Sequence, residues 1–233
     1  MTSLRALTAE CLGTAFLLAI VVGSGIMGER LSDGNVAIAL LANTLATGAG
    51  LVILILTFGP ISGAHFNPAV TMADTWQGGL TRRAAAGYVV AQVCGAFLGV
   101  AAAHLMFEEP LFSASEKVRA GPAQWWSEFV ATFGLLSVIW GCSRTRPEAV
   151  AYGVGLYITA AYWFTASTSF ANPAVTLARA ASDTFAGIRP ADAPPFILAQ
   201  LAGALAATAL FKWLIPSLPE RADEVLVKHD EET

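Results

Sequence analysis

The run Asn-Pro-Ala-Val-Thr occurs twice, at Asn67–Thr71 and at Asn172–Thr176. Asn is a favoured helix N-cap because its side-chain oxygen accepts a backbone N–H of the first turn. Pro suits the next position, where no N–H is needed. Asn67-Pro68-Ala69 and Asn172-Pro173-Ala174 therefore each read as a helix start. Capping through the amide oxygen leaves the NH2 groups of Asn67 and Asn172 able to donate elsewhere. Two such starts meeting tip to tip would also join two positive dipole ends, each roughly half an elementary charge before screening. The chemistry on offer is hydrogen bonding and steering of small solutes, without a covalent step. One Asn-Pro-Ala alone is most simply a cap in a loop; the second copy makes a candidate site.

Other polar residues accompany the two motifs in a repeated order. Glu10 stands in Ala-Glu-Cys-Leu-Gly-Thr-Ala-Phe and Glu128 in Ser-Glu-Phe-Val-Ala-Thr-Phe, each ahead of its motif. Gln92 follows the first motif in Ala-Gln-Val-Cys-Gly-Ala, and Gln200 the second in Ala-Gln-Leu-Ala-Gly-Ala. The order Glu, Asn-Pro-Ala-Val-Thr, Gln thus occurs twice, as a duplication would leave it. Acids in apolar surroundings mark function, and loop bracing and proton transport are both open to them. His65 precedes the first motif. Arg179 lies ~10 Å beyond Asn172 along a helix, which predicts a vestibule position. Its repeat mate Asp74 falls on the other side of the midplane, roughly 20 Å away, so the two should not pair. His104 carries no motif and reads as a satisfied interface residue. No nucleophile–base pair, metal cluster or phosphate loop is visible, so neither an enzyme nor a cofactor or metal is predicted.

The elements that must hold these residues are apolar. Of 233 residues 55% are hydrophobic and 13% charged, too few charges for a water-facing surface. Six apolar segments, about 6–27, 35–58, 83–107, 123–142, 149–167 and 193–215, have the length that crosses a ~30 Å hydrocarbon core as a helix. Asn67 to about Gly78 and Asn172 to about Asp183 are half as long and read as re-entrant. The predicted fold is an all-α membrane protein of six transmembrane helices and two half-helices. It forms one unit over 1–220, with repeats at 6–107 and 123–215 and a polar tail at 221–233. Three spans per repeat invert the second half, the arrangement in which broken helices build a site at the midplane. Eight basic residues fall on the side of the termini against five on the other, which predicts cytoplasmic termini in the cell (inner) membrane. A net charge of −4 without a basic block excludes nucleic acid as a partner.

Across residues 6–215 the chain resembles the aquaporin and glycerol-facilitator family, on the two Asn-Pro-Ala runs and on Ser62-Gly63-Ala64-His65-Phe66-Asn67-Pro68-Ala69-Val70-Thr71. The resemblance implies a right-handed bundle, a homotetramer with one pore per subunit, and membrane lipid as surroundings. It also implies that Glu10 and Glu128 brace the re-entrant loops, and that His65 lies near the cytoplasmic vestibule, where lining, loop bracing and gating are all open. In aquaporin-type pores, half-helix dipoles exclude protons and cations, a property of the class and not of this sequence in particular. Family members usually carry Arg after the second Asn-Pro-Ala; here Val175 stands there. Counting as the family does, the other filter positions fall on Thr47, Ala160 and Ser169. The expectation is an unusually wide filter without arginine, unless Phe170 turns inward or Arg179 supplies the charge. Together these features resemble the AqpS-type aquaglyceroporins of bacterial arsenic-resistance operons. That resemblance implies a passive channel for glycerol, water and arsenite or methylated arsenicals. An ion-coupled secondary transporter of a small polar solute is the alternative that inverted repeats and buried acids also permit.

Overall fold

The computed structural model describes residues 3–215, so the tail expected at 221–233 lies outside the described residues. The described chain is all-helical: α1 (Leu4–Leu31), α2 (Val36–Ser62), α3 (Pro68–Gln77), α4 (Arg82–Phe107), α5 (Pro122–Thr145), α6 (Val150–Phe164), α7 (Pro173–Arg179) and α8 (Ala193–Leu214). The termini of these helices follow the local chemistry. Ser3, Asn35 and Thr81 cap α1, α2 and α4 by accepting backbone N–H bonds. Gly63 and Gly78, at φ 79° and 95°, end α2 and α3 in the left-handed conformation that glycine adopts without strain.

Both short helices fall where the Asn-Pro pairs predict them. The second is shorter than the sequence suggests, ending at Arg179 and not near Asp183. The Arg179 carbonyl accepts from the N–H groups of Ser182 and Ile188, which turns the chain back on itself. α6 likewise stops at Phe164, short of the expected 167, where Thr165 takes an extended backbone and bonds its hydroxyl to the Ala161 carbonyl.

α1 packs on α4 and α2, α5 on α8, and α2 on α6. The closest approaches use small residues that the sequence places at four-residue spacing. A Cβ on Gly95 or Gly99 would collide with the Cys11 or Ala15 carbonyl of α1, and one on Gly203 with the Phe129 carbonyl of α5. The same device thus holds α4 on α1 and α8 on α5.

Polarity is distributed inside out. Glu10, Asn43, Gln92, Glu128, Arg179 and Gln200 are buried, while Phe16, Leu45, Leu98, Leu156, Leu198 and many other large apolar side chains are exposed. Such a surface suits lipid and not water. Among the described residues, four helices are long and apolar enough to cross a membrane: α1, α2, α4 and the last helix with its preceding turn, Pro190–Leu214.

Candidate functional site

The two short helices meet at their N-termini. Asn67 Oδ1 accepts from Ala69 N at 2.9 Å, and Asn172 Oδ1 from Ala174 N at 3.0 Å and Val175 N at 3.3 Å. With the oxygens used as caps, the amide nitrogens cross over. Asn67 Nδ2 donates to the Ala171 carbonyl at 2.8 Å, and Asn172 Nδ2 to the Phe66 carbonyl at 2.7 Å. The sequence reading left both NH2 groups free; in the structure each uses one hydrogen to tie the opposite loop and keeps a second one. Pro68, Ala69, Pro173 and Ala174 are buried behind the two Asn residues.

The loops ahead of the two Asn residues are held by the acids that the repeat pairs with them. Glu10 accepts four bonds, from Ser62 Oγ and His65 N on Oε1 and from Phe66 N and Gln92 Nε2 on Oε2, all at 2.7–2.9 Å. Glu128 accepts from Phe170 N, Ala171 N and Gln200 Nε2 at 2.6–2.9 Å. Gln92 and Gln200 also reach Thr71 Oγ1 and Thr176 Oγ1, which closes the same triangle in each half. These loops need holding. Ala64 and Phe66 have φ 51° and 49°, and their mates Ser169 and Ala171 have φ 50° and 48°, a conformation costing about 1–3 kcal/mol for each non-glycine residue. The carboxylates gather the N–H groups that this backbone turns inward and leave the Phe66 and Ala171 carbonyls facing the opposite Asn.

Beside the crossing lies an internal cavity of about 60 Å³, room for a few water molecules. Its wall is mostly apolar. α2 contributes Thr47, Leu51 and Ile55, and α6 contributes Val154, Ile158 and Tyr162, both stripes at four-residue spacing. His65, Asn67, Ser169, Asn172 and Arg179 bring the polar groups, Phe170 and Val175 complete the wall, and Thr47 Oγ1 lies 3.3 Å from the Tyr162 hydroxyl.

The Major intrinsic protein sequence profile matches residues 1–149 and 141–232. The chain is 59% identical over 216 residues to aquaglyceroporin AqpS of Rhizobium meliloti, covering 92% of each chain. It is 32% identical to aquaporin NIP1-1 of Arabidopsis thaliana, over 66% of this chain and 54% of the relative. The chain belongs to the major intrinsic protein family. Its fold agrees with the X-ray structure of the aquaglyceroporin from Plasmodium falciparum, at a TM-score of 0.72 and 20% identity, covering 92% of this chain and 98% of that one. Members of this family are channels and not enzymes, and membership together with the long apolar helices makes the chain a multi-pass membrane protein.

Within this major intrinsic protein, the filter positions expected from sequence divide. Thr47, Ser169 and Val175 line the cavity. Ala160 does not: it lies on the exposed face of α6, and Ile158 and Tyr162 hold the wall on either side of it. At 100° per residue, a position two away from the lining stripe points roughly 200° from it. The two exceptions left open in the sequence, at Phe170 and Arg179, both bear on this wall. Tyr162 and Phe170 both face the cavity, and Arg179 lines it although Val175 stands directly after Asn-Pro-Ala. Arg179 therefore sits in the cavity wall.

The remaining sequence candidates are placed by their bonds. His65 is buried, with Nδ1 at 3.1 Å from Thr71 Oγ1, Nε2 at 3.9 Å from Asp74 Oδ2, and its ring packed edgewise on Tyr88. It braces its loop and lines the cavity at once. Asp74 faces His65, and Arg179 is held elsewhere, so these repeat mates do not pair. His104 is satisfied by Ser182 Oγ at 2.8 Å and by Phe112 N at 3.4 Å, an interface role.

Loops cover the cavity end bearing Arg179. Arg119 donates to the Gly187 and Ser167 carbonyls, and Lys117 Nζ donates to the Phe185 carbonyl at 2.6 Å. Burial, then the charges of Arg119 and Arg179, bring the Lys117 ammonium down to about 8. Three cationic side chains therefore converge here.

Proposed function

We propose that this major intrinsic protein conducts small uncharged solutes passively, glycerol and water first, along the cavity past Asn67 and Asn172. The crossed amide-to-carbonyl bonds carry the reading. They put two rigidly held N–H donors at one point of a mostly apolar path. A neutral solute exchanges a few hydrogen bonds with such a path, while an ion loses hydration that nothing there replaces. The name of the 59% identical relative, an aquaglyceroporin, supports glycerol. Undissociated arsenite also presents three hydroxyl groups on a small neutral body, and the resemblance to aquaglyceroporins of arsenic-resistance operons extends the proposal to arsenite and methylated arsenicals.

The transport unit in this reading is one channel over 1–220, with repeats at 6–107 and 123–215. α1, α2, α4, α5, α6 and α8 cross the cell (inner) membrane, and α3 and α7 enter as half-helices from opposite sides. Both termini are cytoplasmic, and the protein assembles as a homotetramer. Lys212 Nζ reaching the Trp76 carbonyl, which joins the C-terminal ends of α8 and α3, supports placing these two ends on one side.

Stopped-flow swelling of reconstituted vesicles in a glycerol gradient tests the reading, with arsenite uptake measured in parallel. Protein-containing vesicles should equilibrate both solutes faster than empty ones and never accumulate them against a gradient. Rates equal to those of empty vesicles for glycerol, water and arsenite would end the proposal.

A further inference from the structure

Among the described residues Arg179 is the one arginine or lysine that lines the cavity, and it is 2% exposed. Its guanidinium is fixed on two sides. Nε donates to the Ala186 carbonyl, and the guanidinium carbon lies 3.4 Å from the Phe170 ring centroid. Among the described residues, Nη1 and Nη2 donate to no protein group. Arg119, the second cation on the Phe170 ring at 4.9 Å, differs. Its Nε and Nη1 bond to the Gly187 and Ser167 carbonyls, and it does not line the cavity. Lys117 is likewise held, by the Phe185 carbonyl. Beside Arg179 in the cavity wall, Ser169 Oγ is also without a hydrogen-bond partner. The molecule thus holds an immobilised, buried positive charge, with its outer N–H groups unused, in a cavity wall shared with Thr47, Tyr162, Phe170 and Val175.

The geometry points to Arg179 as the selectivity-determining charge of this aperture: it repels cations and donates from Nη1 and Nη2 to the oxygens of a passing polyhydroxy solute. The inference rests on the channel reading and adds to it a residue and a solute class. The charge absent at Val175 enters one helical turn later, folded back by the Ala186 carbonyl and seated on Phe170. A planar guanidinium offers two parallel N–H groups, so it suits solutes with adjacent oxygens better than single-hydroxyl ones. Phe170 and Val175 take the hydrocarbon side of such a solute.

Vesicles carrying wild type, Arg179→Met or Arg179→Lys are compared for glycerol flux and for potassium leak under an imposed potential. Wild-type glycerol flux above that of empty vesicles is read first; its absence would overturn the channel reading and this inference together. With wild-type flux present, Arg179→Met should raise potassium leak by tenfold to about a hundredfold, the effect of removing one poorly screened charge close to the path. It should also lower the ratio of glycerol to water flux. Arg179→Lys should keep potassium out while losing part of that ratio, a split that a merely structural arginine would not give. Glycerol-conducting Arg179→Met with the potassium leak of wild type overturns the inference and leaves the channel reading standing. If Arg179→Met does not reconstitute, Phe170→Leu removes the seat without the charge and should leak to an intermediate degree. A wild-type leak in Phe170→Leu overturns the inference equally.

Discussion

Replacing Glu128 with Gln tests the brace beneath the second half-helix. The carboxylate accepts from Phe170 N, Ala171 N and Gln200 Nε2. An amide oxygen in the Oε2 position can keep two of these bonds, but the NH2 group then faces the Phe170 N–H. The orphaned donor costs about 1–3 kcal/mol, and each surviving bond loses ~1 kcal/mol of charge assistance. The sum, roughly 3–5 kcal/mol, is offset only by the easier burial of a neutral group, and on a chain of this size it lowers Tm by roughly 6–20 °C. The loop that it frees carries Thr168, Ser169 and Ala171 at φ 60°, 50° and 48°. Relaxation of that loop withdraws the Ala171 carbonyl from Asn67. Thermal unfolding in detergent and glycerol flux in vesicles should therefore fall together. A Glu128→Gln protein as stable as wild type, but altered in proton-dependent flux, would refute the brace and return the acid to a relay role.

Ile158→Phe should cut glycerol flux by about tenfold, equivalent to ~1.4 kcal/mol of barrier, whereas Ala160→Phe, on the exposed face, should leave it near wild type; the same vesicle assay checks both. Val175→Arg puts a second guanidinium one turn from Arg179, and glycerol flux should drop about tenfold, the same ~1.4 kcal/mol, and more than water flux does; an unchanged ratio would take Val175 out of the aperture. Lys117 binds its proton less tightly folded, at about 8, than its ordinary 10.5. The unfolded chain therefore holds more protons between those values, and this group makes the protein more stable as pH rises through that window. Compared with Lys117→Met in detergent, wild type should gain Tm relative to the variant from pH 7 to 10, and a constant difference would contradict the shift.

Much of this site was legible in the sequence because its chemistry is local. Asn followed by Pro caps a helix wherever it occurs, and α3 and α7 start where those pairs stand. Glu10 with Gln92, and Glu128 with Gln200, stood out by their order in two copies of one pattern, although their mutual hydrogen bonds emerge only in the structure. The aperture was less legible, because counting from the Asn residues across the end of α6 ignores which way a helix face points. The signal was present: Val154, Ile158 and Tyr162 form a four-residue stripe matching Thr47, Leu51 and Ile55, and Ala160 lies off it. The seat of Arg179 has no such signal. It depends on the Ala186 carbonyl, seven residues further on, presented by a loop whose path is set by contacts such as Arg189 N to the Lys117 carbonyl.

The central claim is that Asn67 and Asn172 present their remaining amide hydrogens to a solvent-filled path. A lipid-embedded experimental structure, fine enough to show ordered solvent, measures this directly. The account predicts an unbroken file of water passing within hydrogen-bond distance of both Nδ2 atoms and running on beside Arg179. A dry gap at the crossing, closed by packed side chains on both sides, would contradict it.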